Sequence, residues 1–295
     1  NTAGTQRLAD GSKIMGAIRG RDAIYVWTDT ALFTMRFVGP PFTFSFQQVG
    51  TNCGLIGQNA AVEVDGTAYW MSENGFFTYD GQLKSLQCLV EDYVYDDINF
   101  TSRDLINAGL NNLFGEVTWF YCTAGSDVVN RMVTYNYLDS PVFKRPIWTT
   151  GSLPRAAWQD SAVFDKPHAT YYNPDSNTSY DVIGNTDGCT ITSGDFDITQ
   201  KRASTGAVVG MPDLRGDGEF IMRISRFIPD FITQTGSTRV SFTTRTYPNS
   251  SSSTSNFDIT SSTTKKDTRI RARSIALKVS NTAASQDWKL GTFRL

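Results

Sequence analysis

The fold is decided by the stretch Ala23-Ile-Tyr-Val-Trp-Thr-Asp-Thr-Ala-Leu-Phe-Thr-Met35 and by a second version of it, Thr67-Ala-Tyr-Trp-Met-Ser-Glu-Asn-Gly-Phe-Phe-Thr-Tyr-Asp-Gly81. Each reads as an aromatic strand, a short polar turn and a second aromatic strand. Successive side chains of a strand point to opposite faces of a sheet, so aromatic residues at every second position build one buried face. Asn74-Gly75 is expected to supply the positive φ angles of a tight turn. Both stretches therefore predict antiparallel β-hairpins.

The hairpin recurs along the first two thirds of the chain. Tyr25 and Tyr69 are 44 residues apart, within the period of about 40–50 residues that is typical of propeller blades. The pattern returns in residues 116–122 with 131–137, and more weakly in residues 169–172 with 179–183. We interpret residues 1–200 as a domain of partial or distorted β-propeller-like repeats, with about four blade-like units.

The rest of the chain is also predicted to be β-structure. Residues 201–218 carry Gly, Pro and mixed charge with little periodicity, which indicates a linker or an extended loop. Residues 219–295 contain four alternating strands without helices between them, as in a small C-terminal β-sandwich domain. Within it, the serine-rich segment 249–262 is expected to be a loop that is too polar to pack. The predicted fold class is all-β, and the best helix candidate is Thr101–Gly109, which begins with capping-box spacing.

Composition narrows the classes of function. The 295 residues carry a net charge of −2, and the pI is about 5.5, so the chain has no overall basic field for wrapping nucleic acid. No apolar run approaches the roughly 20 residues that span a bilayer, so we expect no membrane insertion by this chain. Because the chain begins at Asn1 without a methionine, we expect it to be processed or to be part of a longer protein.

No catalytic, metal or cofactor site is expected. The sequence has one histidine, His168, beside a proline, and it lacks the motifs of nucleotide-binding loops. The four cysteines lie far apart without C-x-x-C spacing, which argues against a zinc or redox site: Cys53, Cys88, Cys122 and Cys189. We interpret them as buried thiols that act as small apolar groups, with two disulfides as the alternative. The chain is therefore predicted not to be an enzyme.

Two groups of aspartates leave one alternative open. They are Asp92, Asp96 and Asp97, and Asp187, Asp195 and Asp197. Some β-propeller glycosidases use such carboxylates, and surface Tyr and Trp rings stack on sugars. Aspartates are also common in turns and at strand ends, where their side chains bond to the backbone. The alternative function is a carbohydrate-binding or carbohydrate-cleaving β-propeller module for adsorption to a host surface.

The one patterned charge is Arg269-Ile-Arg-Ala-Arg273. On one strand, Arg269, Arg271 and Arg273 share a face, and the same register then brings Ile275 to that face. Either a bulge flips the register, or the arginines pass the edge of the core. The arginines are read as a stripe that keeps an edge strand soluble, or as a bidentate clamp on carboxylates or phosphates across an interface. They are the candidate subunit or partner interface.

The order of these motifs resembles that of the tail nozzle, or tail hub and packaged-DNA stabilisation, proteins of short-tailed bacteriophages. The resemblance covers most of residues 20–295. In that family, an Arg-x-Arg strand and a closing Trp-x-Leu-Gly strand recur together near the C-terminus. The segments that carry the resemblance are Thr67–Gly81, Trp148–Asp160, Ile228–Phe231, Arg269–Val279 and Trp288–Gly291.

The resemblance implies a non-enzymatic virion component, made in the host cytoplasm. Such a protein is a homo-oligomer, a hexameric ring below the portal and its adaptor, with a central channel through which the genomic DNA passes. Its other implied partners are tail proteins such as a fibre or spike. On this reading, Asp92, Asp96 and Asp97 are the candidate channel-lining acids. The low content of Lys and Arg fits a channel in which DNA slides, because dense cations grip phosphates.

Overall fold

In a computed structural model, the chain is built mostly of small antiparallel β-sheets, which confirms the all-β prediction. The structure describes residues 6–40, 43–160, 166–183, 190–197, 220–247, 249–283 and 286–291. The chain divides into two compact units, Asn1–Asn185 and Thr186–Leu295. The predicted linker, 201–218, lies outside the described residues.

The first unit contains three four-stranded sheets in which consecutive strands are neighbours, so that each sheet is an up-and-down meander. The first sheet contains β1 (Ile14–Arg19), β2 (Ile24–Thr28), β3 (Ala31–Phe37) and β4 (Phe44–Thr51). The second contains β5 (Ala61–Val64), β6 (Thr67–Ser72), β7 (Gly75–Tyr79) and β8 (Leu83–Leu86). The third contains β9 (Asn107–Asn111), β10 (Glu116–Tyr121), β11 (Arg131–Asn136) and β12 (Trp148–Gly151).

A three-stranded meander follows in the same unit. It consists of β13 (Ala157–Gln159), β14 (His168–Asn173) and β15 (Thr178–Ile183). The hairpins β2–β3, β6–β7, β10–β11 and β14–β15 are the four that the sequence predicts. Meanders of this kind are the blades of β-propellers, and the propeller arrangement itself stays a prediction.

The turns show how local sequence fixes these hairpins. Val64 pairs with Thr67, and the two residues between them, Asp65 and Gly66, have φ angles of 51° and 85°. This is the geometry of a type I′ turn, which matches the twist of the flanking strands. In the β6–β7 turn only Gly75, with a φ of 116°, lies in the left-handed region. The expectation of a positive φ at Asn74 was therefore wrong.

Three tryptophans mark equivalent positions in the core of the first unit. Trp27, Trp70 and Trp119 each occupy the fourth position of the second strand of their sheet, and each is fully buried. The ring centroids of Trp27 and Trp70 are 5.3 Å apart, and those of Phe76 and Trp119 are 4.9 Å apart. The three sheets thus share one aromatic core, whose burial is the main stabilising contribution.

The three indole N–H groups differ in their hydrogen bonding. Trp70 Nε1 donates to the backbone oxygen of Cys53 at 2.8 Å, and Trp119 Nε1 donates to that of Ala60 at 3.0 Å. Both acceptors lie in the segment between β4 and β5, so these bonds fix the connection between the first two sheets. The buried Nε1 of Trp27 has no acceptor among the described residues.

Helices are few and short, and they do not lie where the sequence predicts. The helix α1 (Glu91–Asp97) precedes the predicted segment and buries Val94. Instead of the predicted helix Thr101–Gly109, the structure has a 3₁₀-helix over Phe100–Leu105, followed by strand β9. The side chain of Asn99, and not that of Thr101, caps the 3₁₀-helix. Strand pairing with β10 overrides local propensity there, because an isolated short helix is marginal. A second helix, α2 (Asp139–Phe143), follows β11.

The second unit contains a four-stranded sheet and two pairs of strands. The sheet has the order β16 (Thr190–Thr192), β22 (Ser274–Asn281), β19 (Ser237–Arg245) and β20 (Ser253–Thr260). The pairs are β17 (Met222–Phe227) with β21 (Lys266–Ala272), and β18 (Phe231–Thr235) with β23 (Asp287–Leu290). Side chains from the sheet and from the β17–β21 pair form one core, as in a β-sandwich.

The serine-rich segment 249–262 is not the loop that its composition suggested. Most of it forms β20, which pairs with β19 in unbroken register from Ser253 to Thr260. Ile259 is buried and Phe257 half-buried, while Asp258 faces outward and pairs with Arg239 at 2.7 Å. The alternation of inward and outward side chains in this segment is typical of a strand, but its high serine content suggested a loop.

The register of the arginine segment flips at one residue. In β21, Arg269 and Arg271 face outward while Ile270 and Ala272 are buried. The strand ends there, and β22 begins at Ser274 in the other sheet, with Ile275 buried. Of the two alternatives, the break in register is the one that the structure shows.

Candidate functional site

The predicted arginines lie on the outer face of the two-stranded β17–β21 sheet. Arg269 and Arg271 are exposed, and Arg223 of β17 is exposed directly opposite Arg271 in the strand register. Arg226 lies on the same strand and pairs with Asp267, with Nε 2.6 Å from Oδ1. We call Arg223, Arg226, Arg269 and Arg271 the arginine face.

Three members of the arginine face are not ion-paired within the described ranges. Arg223, Arg269 and Arg271 form no ion pair with another described residue. Like charges directly opposite each other on an antiparallel pair destabilise the sheet. An edge that needs only solubility is usually served by lysine, whereas the planar guanidinium suits bidentate binding of carboxylates or phosphates. This arrangement favours an anionic partner.

The third predicted arginine, Arg273, stands apart from this face. It lies in the break between β21 and β22, where its guanidinium carbon is 5.4 Å from the centre of the Tyr247 ring. Its backbone N–H donates to the oxygen of Arg245 at 3.2 Å. Sequence reasoning missed Arg223 and Arg226, although the alternation in Met222-Arg-Ile-Ser-Arg-Phe227 contains them.

The three aspartates that were candidates for a channel lining lie at α1. Asp92 and Asp96 are exposed and four residues apart, so they share one side of the helix. Asp97 is half-buried, and its Oδ2 lies 3.8 Å from Nε of Arg131. The structure therefore brings Asp92 and Asp96 together, and it turns Asp97 towards a cation. Of the second group, Asp195 pairs with Arg245, and Asp187 lies outside the described residues.

A groove of about 440 Å³ in the first unit was not predicted. On one side it is lined by β5 and the β5–β6 turn of the second sheet. On the other side it is lined by the end of β9 and by the segment between β11 and α2. Two carboxylates, an amide, a phenol and three aliphatic side chains line it: Glu63, Val64, Asp65, Leu110, Asn112, Tyr137 and Leu138. We call it the acidic groove. The Asp65-Gly66 pair and Tyr137, which directly follows β11, can be read from the sequence, but their proximity cannot.

The aromatic ring of Tyr137 lines the acidic groove. Tyr137 stacks on Tyr69 with ring centroids 6.1 Å apart, and its hydroxyl donates to Oδ1 of Asn112 at 3.2 Å. Burial raises the pKa of Tyr69 to about 12, and burial together with the nearby Asp65 carboxylate raises the pKa of Tyr137. Both phenols are therefore neutral at physiological pH.

The two carboxylates of the acidic groove, Glu63 and Asp65, have oxygen atoms that could accept further hydrogen bonds from a ligand. Glu63 Oε1 accepts a hydrogen bond from the backbone of Gly66 at 2.6 Å, which fixes its orientation beside the turn. Asp65 is exposed. Neither carboxylate forms an ion pair within the part of the chain that the structure describes. The groove thus offers two negative charges beside a tyrosine ring.

An apolar patch adjoins the acidic groove. It consists of the exposed side chains Leu113, Phe114, Leu138, Val142 and Phe143, which are 46–76% exposed. Leu138 also lines the groove, and it packs so closely on the β9–β10 turn that a Cβ at Gly115 would lie 2.3 Å from its Cγ. Exposed apolar side chains in such number are typical of sites of protein association.

Other groups with reactive chemistry are occupied in the structure. His168 Nδ1 lies 3.8 Å from Asp181. Burial raises the pKa of the Cys88 thiol to about 12 and that of Cys122 to about 11, and Cys53 is raised for the same reason. These thiols remain protonated and unreactive at neutral pH. Over the described ranges, no three His, Cys, Asp or Glu side chains cluster closely enough to bind a metal ion.

Neither α-helix in the described part of the chain has the length and apolar character of a membrane span. No protein-family model matches the chain, and no curated protein sequence is significantly similar to it.

Proposed function

We propose that the chain is a structural subunit of a bacteriophage tail that forms a ring and continues the DNA channel below the portal and adaptor. The observation that carries the proposal is the arginine face, which holds Arg223 opposite Arg271 without a described counter-charge. A free-standing domain gains nothing from that arrangement, whereas a subunit gains an anionic partner. The sequence resemblance to tail nozzle proteins then names the assembly.

The rest of the fold suits a construction element. Three meanders share a core of fully buried tryptophans and phenylalanines, so the first unit is closely packed and rigid. A cyclic ring of more than two copies requires two different surfaces on each copy, because such rings are closed by head-to-tail contacts. The arginine face and the apolar patch are two such surfaces, and they lie in different units.

The proposed setting has several parts. The protein is made in the host cytoplasm and becomes part of the virion as a homo-oligomer, with six copies expected. Its neighbours are the adaptor and a fibre or spike. The genomic DNA passes the ring without being gripped, in keeping with 27 basic against 29 acidic residues. The proposed role is not enzymatic.

Sedimentation velocity and negative-stain imaging of the purified chain test this function. We expect ring-shaped particles whose assembly weakens with added salt, because exposed charges are screened. Arg271→Glu should reduce assembly without lowering the thermal midpoint, and Lys278→Glu, an exposed cation on β22, is the matched control. A chain that stays monomeric at every concentration, or that binds and cleaves host polysaccharide, would contradict the proposal and favour the adsorption module.

A further inference from the structure

We infer that the arginine face of one copy binds the acidic groove of the next copy. The inference rests on the proposed function, because it names the two surfaces that meet in the ring. The partner is thus a second copy of this chain, recognised by guanidinium groups on one side and carboxylates on the other.

Charge complementarity is the first argument. Arg223, Arg269 and Arg271 form no ion pair with a described carboxylate, and Glu63 and Asp65 form none with a described cation. The whole chain has a net charge of only −2, so these are local excesses of opposite sign. Bringing them together forms charge-assisted hydrogen bonds and removes the repulsion between the opposed arginines.

The spacing of the groups is the second argument. Arg269 and Arg271 lie two residues apart on a strand, so their Cα atoms are separated by roughly 6.6 Å. Glu63 and Asp65 are also two residues apart, and both line the groove. Tyr137 also lines the groove, and a tyrosine ring attracts a guanidinium, a contact that arginine makes more often than lysine.

The apolar surroundings argue for a protein rather than a dissolved ion. The apolar patch lies directly beside the groove. On the other side, Phe220 and Ile221 are 57% and 58% exposed and immediately precede β17, with Ile221 two residues before Arg223. Each surface therefore joins charge to exposed apolar area, the composition of an interface with a hydrophobic centre and a polar rim.

The two surfaces differ, so the contact is heterologous. A contact of this kind leaves one arginine face and one groove free on any open chain of copies, and it is saturated only when the chain closes into a ring. The same contact also explains why neither surface is neutralised within its own unit.

Disulfide trapping between two singly substituted copies tests the contact. One preparation carries Asp65→Cys and the other Arg271→Cys, and the two are mixed under mild oxidation. Each copy holds only one new thiol, so a crosslink between positions 65 and 271 arises only between copies. Asp175→Cys, at an exposed turn of the fourth sheet, replaces Asp65→Cys as the control. We expect a covalent dimer with Asp65→Cys and at least about tenfold less of it with Asp175→Cys.

A charge variant supplies the second measurement. Asp65→Asn keeps a residue that tolerates the positive φ of this position, and we expect it to raise the dissociation constant of assembly about tenfold at low salt. Rings that form normally with Asp65→Asn, and no selective 65–271 crosslink, would overturn this inference and leave the proposed function standing. A chain that never associates would overturn both.

Discussion

The different hydrogen bonding of Trp70 and Trp27 gives a direct test of the core. Both indoles are fully buried at the same position of their strands, but only Trp70 donates to a described acceptor, the backbone oxygen of Cys53. We expect Trp70→Phe to destabilise the first unit more than Trp27→Phe.

The expected gap follows from the hydrogen bond. Both variants lose the same ring volume, so the packing loss is shared between them. Trp70→Phe also leaves the buried Cys53 oxygen without its donor, which costs about 1–3 kcal/mol. Trp27→Phe removes an N–H that has no acceptor among the described residues, so it carries no such penalty. For a unit of this size each kcal/mol lowers the thermal midpoint by about 2–4 °C.

Urea and thermal unfolding of the full chain, followed by near-ultraviolet circular dichroism, measure the gap. Aromatic ellipticity reports on the packed core that contains both tryptophans. Equal losses in the two variants would show that the bond to Cys53 contributes nothing to stability. A larger loss in Trp27→Phe would show that the equivalence of the two positions is wrong.

Three further outcomes are expected. Gly54→Ala places a Cβ 2.1 Å from a backbone oxygen of the β2–β3 turn, so it should cost about 1–3 kcal/mol or more, whereas Gly125→Ala meets nothing within 4 Å and should be nearly neutral in chemical unfolding. Ile259→Ala should cost about 2–5 kcal/mol if β20 packs as described, against about 0.5 or less for the exposed Asn256→Ala; equal midpoints would show that the serine-rich segment is a loop. Burial raises the pKa of the Glu116 carboxyl, so its contribution to stability is full below the unfolded-state pKa and is lost as pH rises through the folded-state pKa. Glu116→Gln should therefore gain stability over the native chain as the pH rises from the unfolded-state pKa of the Glu116 carboxyl through its raised folded-state pKa, and parallel pH profiles would contradict this.

Alternation of apolar and polar residues was enough to predict the hairpins of the first unit. The aromatic strands around Trp27, Trp70 and Trp119 appear where the sequence places them. Two local sequence features gave wrong predictions at positions where strand pairing with a distant segment determines the structure. Capping-box spacing suggested a helix at Thr101, but strand pairing takes its second half, and serine content hid the strand β20.

The candidate surfaces were predicted only in part, for a geometric reason. The outward direction of Arg269 and Arg271 follows from strand periodicity. Their meeting with Arg223 depends on which strand pairs with β21, over more than 40 intervening residues. The acidic groove depends on the packing of two sheets, which no local pattern specifies. Periodicity gives the face of each residue, and tertiary pairing gives its neighbours.

The break at Arg273 separates the exposed arginines of β21 from the buried core residues of β22. One unbroken strand would place both on the same face. Because the register shifts by one residue at Arg273, odd-numbered residues include exposed arginines in β21 but buried apolar residues in β22. Substitutions at 269 and 271 can thus alter what the outer layer recognises while 275 and 279 continue to fill the interior. Substitution at the outer positions therefore leaves the packed interior intact, whereas deletion of one residue here would invert every side chain on one side of the break.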